Sequence, residues 1–166
     1  TFDIDLATNP LEDGTEVEDL GPDEIPDTSG KYFINLQNLA NSRDNLRQSV
    51  ADLFALKASL ASAQVEGVSF NAGNLNFVGH SLGGIVGTVM LSFDNSFQSA
   101  TLGMAGGGIA QLLANSQSFA PIINQGLLDG AGIETGSADY NTFLTVAQTL
   151  LDSGDPINHA STLAQS

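Results

Sequence analysis

The sequence predicts an α/β fold in which a short strand turns sharply into a helix and a glycine-jointed helical region follows. Three features predict it. The apolar run Leu75-Asn76-Phe77-Val78 leads directly into Gly79-His80-Ser81-Leu82-Gly83. Residues 82–92 carry Ile85, Val86, Val89 and Met90, an apolar stretch with helical character. A second short strand is expected over 99–104. Strand, helix and strand in that order is the alternation from which α/β sheets are built.

The remaining elements follow along the chain. Phe2-Asp3-Ile4-Asp5-Leu6 alternates apolar and acidic residues and predicts an edge strand. From about 7 to 30, Pro10, Pro22 and Pro26 and a high density of carboxylates predict a long exposed acidic loop. Residues 42–64 form the best helical pattern. Ser42 supplies an N-cap, and Leu46, Val50, Leu53, Phe54, Leu60 and Ala61 form one apolar face. Val65-Glu66-Gly67 ends that helix, and Asn71-Ala72-Gly73-Asn74 is a break before the strand. After residue 104, helices are expected over 109–115, 118–128 and 138–152, separated by Gly106-Gly107-Gly108, Gly130-Ala131-Gly132 and Gly154. The reading is one domain: a core over 1–104 with the acidic loop, and a helical, lid-like region over 105–166.

Composition excludes several functions. Apolar residues make up 42% of the 166-residue chain, enough for a core. The net charge is −15, and the four basic residues all lie between Lys31 and Lys57. A nucleic-acid surface needs a basic patch, so nucleic acid is not an expected partner. No cysteine is present, which removes disulfides and thiolate metal sites. No run reaches the roughly 18 apolar residues of a membrane span.

Chemistry enters at Gly79–Gly83, a match to G-x-S-x-G. The pattern alone is common. Its setting between an apolar strand and an apolar helix is what gives it meaning, because a nucleophilic serine on such a turn must project above the sheet in strained dihedrals. The flanking glycines are expected to give room where strand and helix approach. The helix N-terminus aims free N–H groups at the site, and the N–H of Leu82 is the expected oxyanion-hole donor.

These residues carry a family resemblance. Asn76-Phe77-Val78-Gly79-His80-Ser81-Leu82-Gly83-Gly84 resembles the nucleophile elbow of lipases and esterases of the α/β-hydrolase fold. The wider set resembles bacterial extracellular or outer-membrane lipases of the virulence-factor type. It comprises Ser42-Arg43-Asp44-Asn45-Leu46-Arg47-Gln48, the elbow, Met104-Ala105-Gly106-Gly107-Gly108 and Asp152-Ser153-Gly154-Asp155-Pro156. The resemblance implies a carboxylic ester hydrolase with Ser81 as nucleophile, an ester or lipid substrate, no cofactor, and a secreted or cell-surface location. It places the catalytic acid and histidine beyond Ser166. A non-catalytic acidic binding module on the same scaffold, or a thioesterase or peptidase, are the alternatives.

Other residues have plainer readings. His80 adjoins Ser81, but neighbouring side chains on an elbow diverge, so it is expected to pack or hydrogen-bond beside the turn. Asp155 and His159 follow Ser81 in the order acid then histidine. Only four residues separate them, and Asp155-Pro156 reads more simply as a turn. The acidic loop could bind Ca²⁺ but lacks regular ligand spacing. The Gly106–Gly108 run reads as a flexible joint into the lid, whose apolar residues suit either an acyl chain or ordinary helix packing. Two strands and a possible third are too few for a doubly wound sheet. The expectation is therefore the central portion of a larger hydrolase, inactive without its missing remainder.

Overall fold

A computed structural model of the chain describes Thr8 and residues 21–25, 33–34 and 38–165. The chain separates into two compact units, Thr1–Asn35 and Leu36–Ser166. In the first, the Thr8 hydroxyl donates to the Gly21 carbonyl at 3.0 Å, and the Asp23 carboxylate accepts from the Ile25 N–H at 2.9 Å. The expected strand at 2–6 and most of the acidic loop lie outside the described residues.

The second unit is mixed α/β. Helix α1 spans Leu39–Leu60. It starts three residues before the expected cap, because the Asn38 side chain accepts from the Asn41 N–H at 3.3 Å. Ser42 is instead inside the helix and buried, on one stripe with Leu46 and Val50. Lys57 sits in the last turn, where a cation suits the helix dipole. It also binds the Asp94 carboxylate and the Ser96 hydroxyl, and lies 5.2 Å from the centre of the Phe97 ring. The hydrogen bond from Lys57 holds the Asp94 carboxyl down at about 2.

Where the sequence reads as a helix end followed by a break, strands β1 (Gln64–Val65) and β2 (Val68–Ser69) form a small antiparallel hairpin. Glu66 and Gly67 both take left-handed φ, 51° and 83°, as a two-residue hairpin turn of the primed type requires.

Strand β3 (Asn76–His80), helix α2 (Leu82–Phe93) and strand β4 (Ser99–Gly103) come next. The two strands are parallel, with Asn76 opposite Ser99 and His80 opposite Gly103. Helix α2 is the centre of the unit. Val86, Val89, Met90 and Leu91 are buried, and each such side chain contributes about 1.5–3 kcal/mol. Thr88 is buried with them because its hydroxyl donates back to the Gly84 carbonyl at 2.8 Å. Phe77 and Gly79 of β3 face α2. Asn76, Val78 and His80 face away and are exposed, Val78 at 80%. Parallel strands are normally covered on both faces; here the described residues cover one.

The rest is helical: α3 (Ile109–Ala114), α4 (Ala120–Ala131), α5 (Ala138–Leu151) and α6 (Ala160–Leu163), with single 3₁₀ turns at Asp152–Gly154 and Pro156–Asn158. Helix α5 is capped by the Ser137 side chain and buries Tyr140, Leu144, Ala147 and Leu151 along one stripe. It packs on α1 and α3, so the region after 104 shares the unit with β3 and β4. Helix α4 buries no residue.

Candidate active site

Ser81 joins β3 to α2 with φ 54° and ψ −118°. A non-glycine residue there is strained by roughly 1–3 kcal/mol, and persists only where its surroundings dictate it. They do so through both backbone groups. The Ser81 N–H donates to the Gly103 carbonyl at 2.9 Å, and the Ser81 carbonyl accepts from the N–H groups of Gly84 at 2.9 Å and Ile85 at 3.0 Å. The side chain is left exposed, and its hydroxyl makes no hydrogen bond among the described residues.

The glycines around it are not equivalent. A Cβ on Gly79 would stand 2.4 Å from the Gly83 carbonyl oxygen, and one on Gly84 would stand 3.0 Å from both the Gly103 carbonyl oxygen and the Ala105 Cβ. Gly87, one turn further, admits the edge of the Phe77 ring. A Cβ on Gly83 would meet nothing within 4 Å. The expectation that Gly83 must be small is therefore corrected: its carbonyl makes the close approach to Gly79, and its side-chain direction is open. Leu82 occupies the first helical position, where an N–H has no acceptor within the helix.

His80 neither packs in nor hydrogen-bonds. Its ring is exposed on the uncovered face of the sheet and makes no hydrogen bond among the described residues, because alternation along β3 turns it away from Gly79 and α2. His159 and Asp155 do not come together with Ser81. His159 Nδ1 lies 3.1 Å from Ser92 Oγ, and its ring meets the Phe93 ring edge-on at 5.3 Å. Ser92 is at the opposite end of α2, about three turns and roughly 16 Å from Ser81.

The Asp155 carboxylate has another task. It is fully buried and accepts four N–H groups: Gly108 at 2.9 Å and Ile157 at 2.9 Å on Oδ1, Ile109 at 2.6 Å and Gln148 Nε2 at 2.8 Å on Oδ2. It caps the start of α3 and of the 3₁₀ turn together. The Gly106–Gly108 run is consequently no loose joint. Asp155 pins its end, and a Cβ on Gly107 would stand 2.8 Å from the Ile157 nitrogen. The sequence holds half of this signal: aspartate immediately before a proline at a first helical position is a capping pattern. The second helix it caps, which begins 46 residues upstream at Ile109, has no local signature.

Beyond the elbow, α3, α4, α5 and the start of α1 enclose an open hollow of about 450 Å³. Its lining includes Leu113, Ile122, Ile123, Leu127, Phe143 and Leu144, with no charged residue among the described residues. Of the other apolar residues of this helical region, Ile109 is in the core, while Leu112, Phe119 and Leu128 are exposed. Among the described residues no group of His, Asp and Glu could hold a metal ion, and no helix is long and apolar enough to cross a membrane. Of the acidic residues considered for Ca²⁺, Glu12, Asp13, Glu16, Glu18, Asp19 and Asp27 lie outside the described residues, while Asp23 and Glu24 are described and belong to no such group. The chain matches no protein-family model, no curated protein and no solved structure.

Proposed function

We propose that this chain carries the nucleophile of a serine hydrolase acting on carboxylic esters, of the α/β-hydrolase kind. One observation carries the reading: Ser81 sits in a strained left-handed conformation between a parallel strand and a helix N-terminus, with its hydroxyl unengaged among the described residues. Nothing in local packing needs a hydroxyl there. A nucleophile does, because the turn lifts Oγ above the sheet and sets the Leu82 N–H beside it.

In the proposed reaction Ser81 Oγ attacks the ester carbonyl, the alcohol leaves, and water releases the acid from the acyl-enzyme. The base that takes the serine proton is neither His80 nor His159. The chain has no third histidine, so the proposal needs a histidine from outside this sequence, together with a carboxylate to orient it. The apolar hollow in the helical region supports a substrate with a hydrocarbon part, and we read that region as a cap. The resemblance in the sequence supports a secreted or surface-exposed bacterial enzyme.

The missing Ser81–histidine contact also favours a second reading, a non-catalytic module on the same scaffold. A fluorophosphonate probe separates them. Stoichiometric labelling of the full-length protein at Ser81, with Ser81→Ala cutting ester turnover by at least about a thousandfold, is the expected outcome. A folded full-length protein that takes up no probe, or an alanine variant with near-normal turnover, rejects the hydrolase reading.

A further inference from the structure

We propose that Met104 is a specificity-determining residue: its side chain forms the wall along which the alkyl part of a substrate lies when its carbonyl is at Ser81. The inference rests on the hydrolase reading above and adds a recognition element to it.

The backbone places the two residues side by side. His80 and Gly103 are partners in the parallel register, and the Ser81 N–H continues the ladder to the Gly103 carbonyl. Ser81 and Met104 are the next residues on each strand, at the carboxyl ends of the pair, where parallel strands stand about 4.8 Å apart. Crevices at this end of an open parallel sheet are where ligands sit in α/β folds. Both residues leave their strand with left-handed φ, 54° for Ser81 and 55° for Met104. The residues on either side of Met104, Gly103 and Ala105, lie close against Gly84 in the first turn of α2, so the chain bends at Met104 where it passes over that turn.

That bend favours glycine or asparagine. A methionine stands there instead, 79% exposed. A long apolar side chain thus occupies a conformation that disfavours it and buries little of itself in this fold. Strain of this kind tends to gather at ligand-binding positions. A thioether is unbranched and adaptable, suited to a flexible hydrocarbon chain of no fixed shape.

The chain's chemistry makes the test selective. It has two methionines and neither cysteine nor tryptophan, and the other methionine, Met90, is 1% exposed. Mild peroxide will therefore oxidise Met104 first, turning the wall polar without a mutation. The experiment measures Ser81 labelling rates of the full-length protein with methyl- and dodecyl-bearing fluorophosphonates. It compares wild type, Met104→Asn (which accepts the left-handed φ) and the peroxide-treated wild type before and after methionine sulfoxide reductase. The expected result is a dodecyl-to-methyl rate ratio about tenfold lower in the variant and in the sulfoxide form, the scale of losing one apolar side-chain contact, and restored by the reductase. An unchanged ratio, or an equal slowing with both probes, overturns the role of Met104 while leaving Ser81 as nucleophile. Failure of wild type to label with either probe overturns the hydrolase reading and this proposal with it.

Discussion

The strand–turn–helix around Ser81 and the helix α4 are both rich in glycine, for opposite reasons. At Gly79, Gly84 and Gly87 an added Cβ would run into backbone or ring atoms at 2.4–3.0 Å, so strand and helix meet closely only because these side chains are missing. At Gly126 and Gly130, on α4, an added Cβ would meet nothing. One region is fixed by contact and holds a strained residue in place. The other buries no side chain and borders a hollow. Glycine content therefore says little about rigidity until the neighbouring atoms are known.

The largest effect tests how the two regions are joined. Among the described residues one carboxylate, that of Asp155, bonds the end of the Gly106–Gly108 run, the start of α3 and the 3₁₀ turn at Pro156–Asn158 together, with Gln148 Oε1 taking the next N–H of α3, that of Ala110. Asp155→Ala leaves several buried N–H groups without an acceptor and should cost about 4 kcal/mol in urea unfolding. A loss below about 1 kcal/mol would mean that the helical region is held elsewhere. Next is Gly79→Ala. A methyl group 2.4 Å from a backbone oxygen must push α2 off β3, and we expect a loss of about 3 kcal/mol together with slower probe labelling of Ser81. Unchanged stability would remove the close approach from the account of the elbow.

The smallest effect has the opposite sign and sharpens the contrast most. Gly126→Ala and Gly130→Ala lie within α4, where glycine costs about 1 kcal/mol relative to alanine and nothing blocks the methyl. Each should stabilise the protein by up to that amount, read as a rise in the unfolding midpoint. Destabilisation by either would show that α4 is packed more tightly than its exposure indicates.

Much of the elbow was legible in the sequence, because its determinants are local. An apolar run, a small residue, a serine and an apolar helix must follow one another directly, and β3, α2 and β4 lie within one or two residues of their expected bounds. The start of α1 was misjudged, since Asn38 and Ser42 are equally good caps and only packing put Ser42 inside. The hairpin at 64–69 was missed for a similar reason: Glu66-Gly67 is a weaker turn signal than Asn-Gly.

By itself the sequence determined which serine stands on a strand-to-helix turn, that the chain is acidic and cysteine-free, and that helices dominate after residue 104. Tertiary structure alone decided what each polar group does. Asp155 and His159 sit four residues apart and pattern as an acid and a base. In the fold the carboxylate is taken up by N–H groups drawn from Gly108, Ile109 and Gln148, and the imidazole is turned toward Ser92 at the far end of α2. The physical reason is that a buried charge must be satisfied by whichever donors converge on it, and convergence is a property of the packed chain.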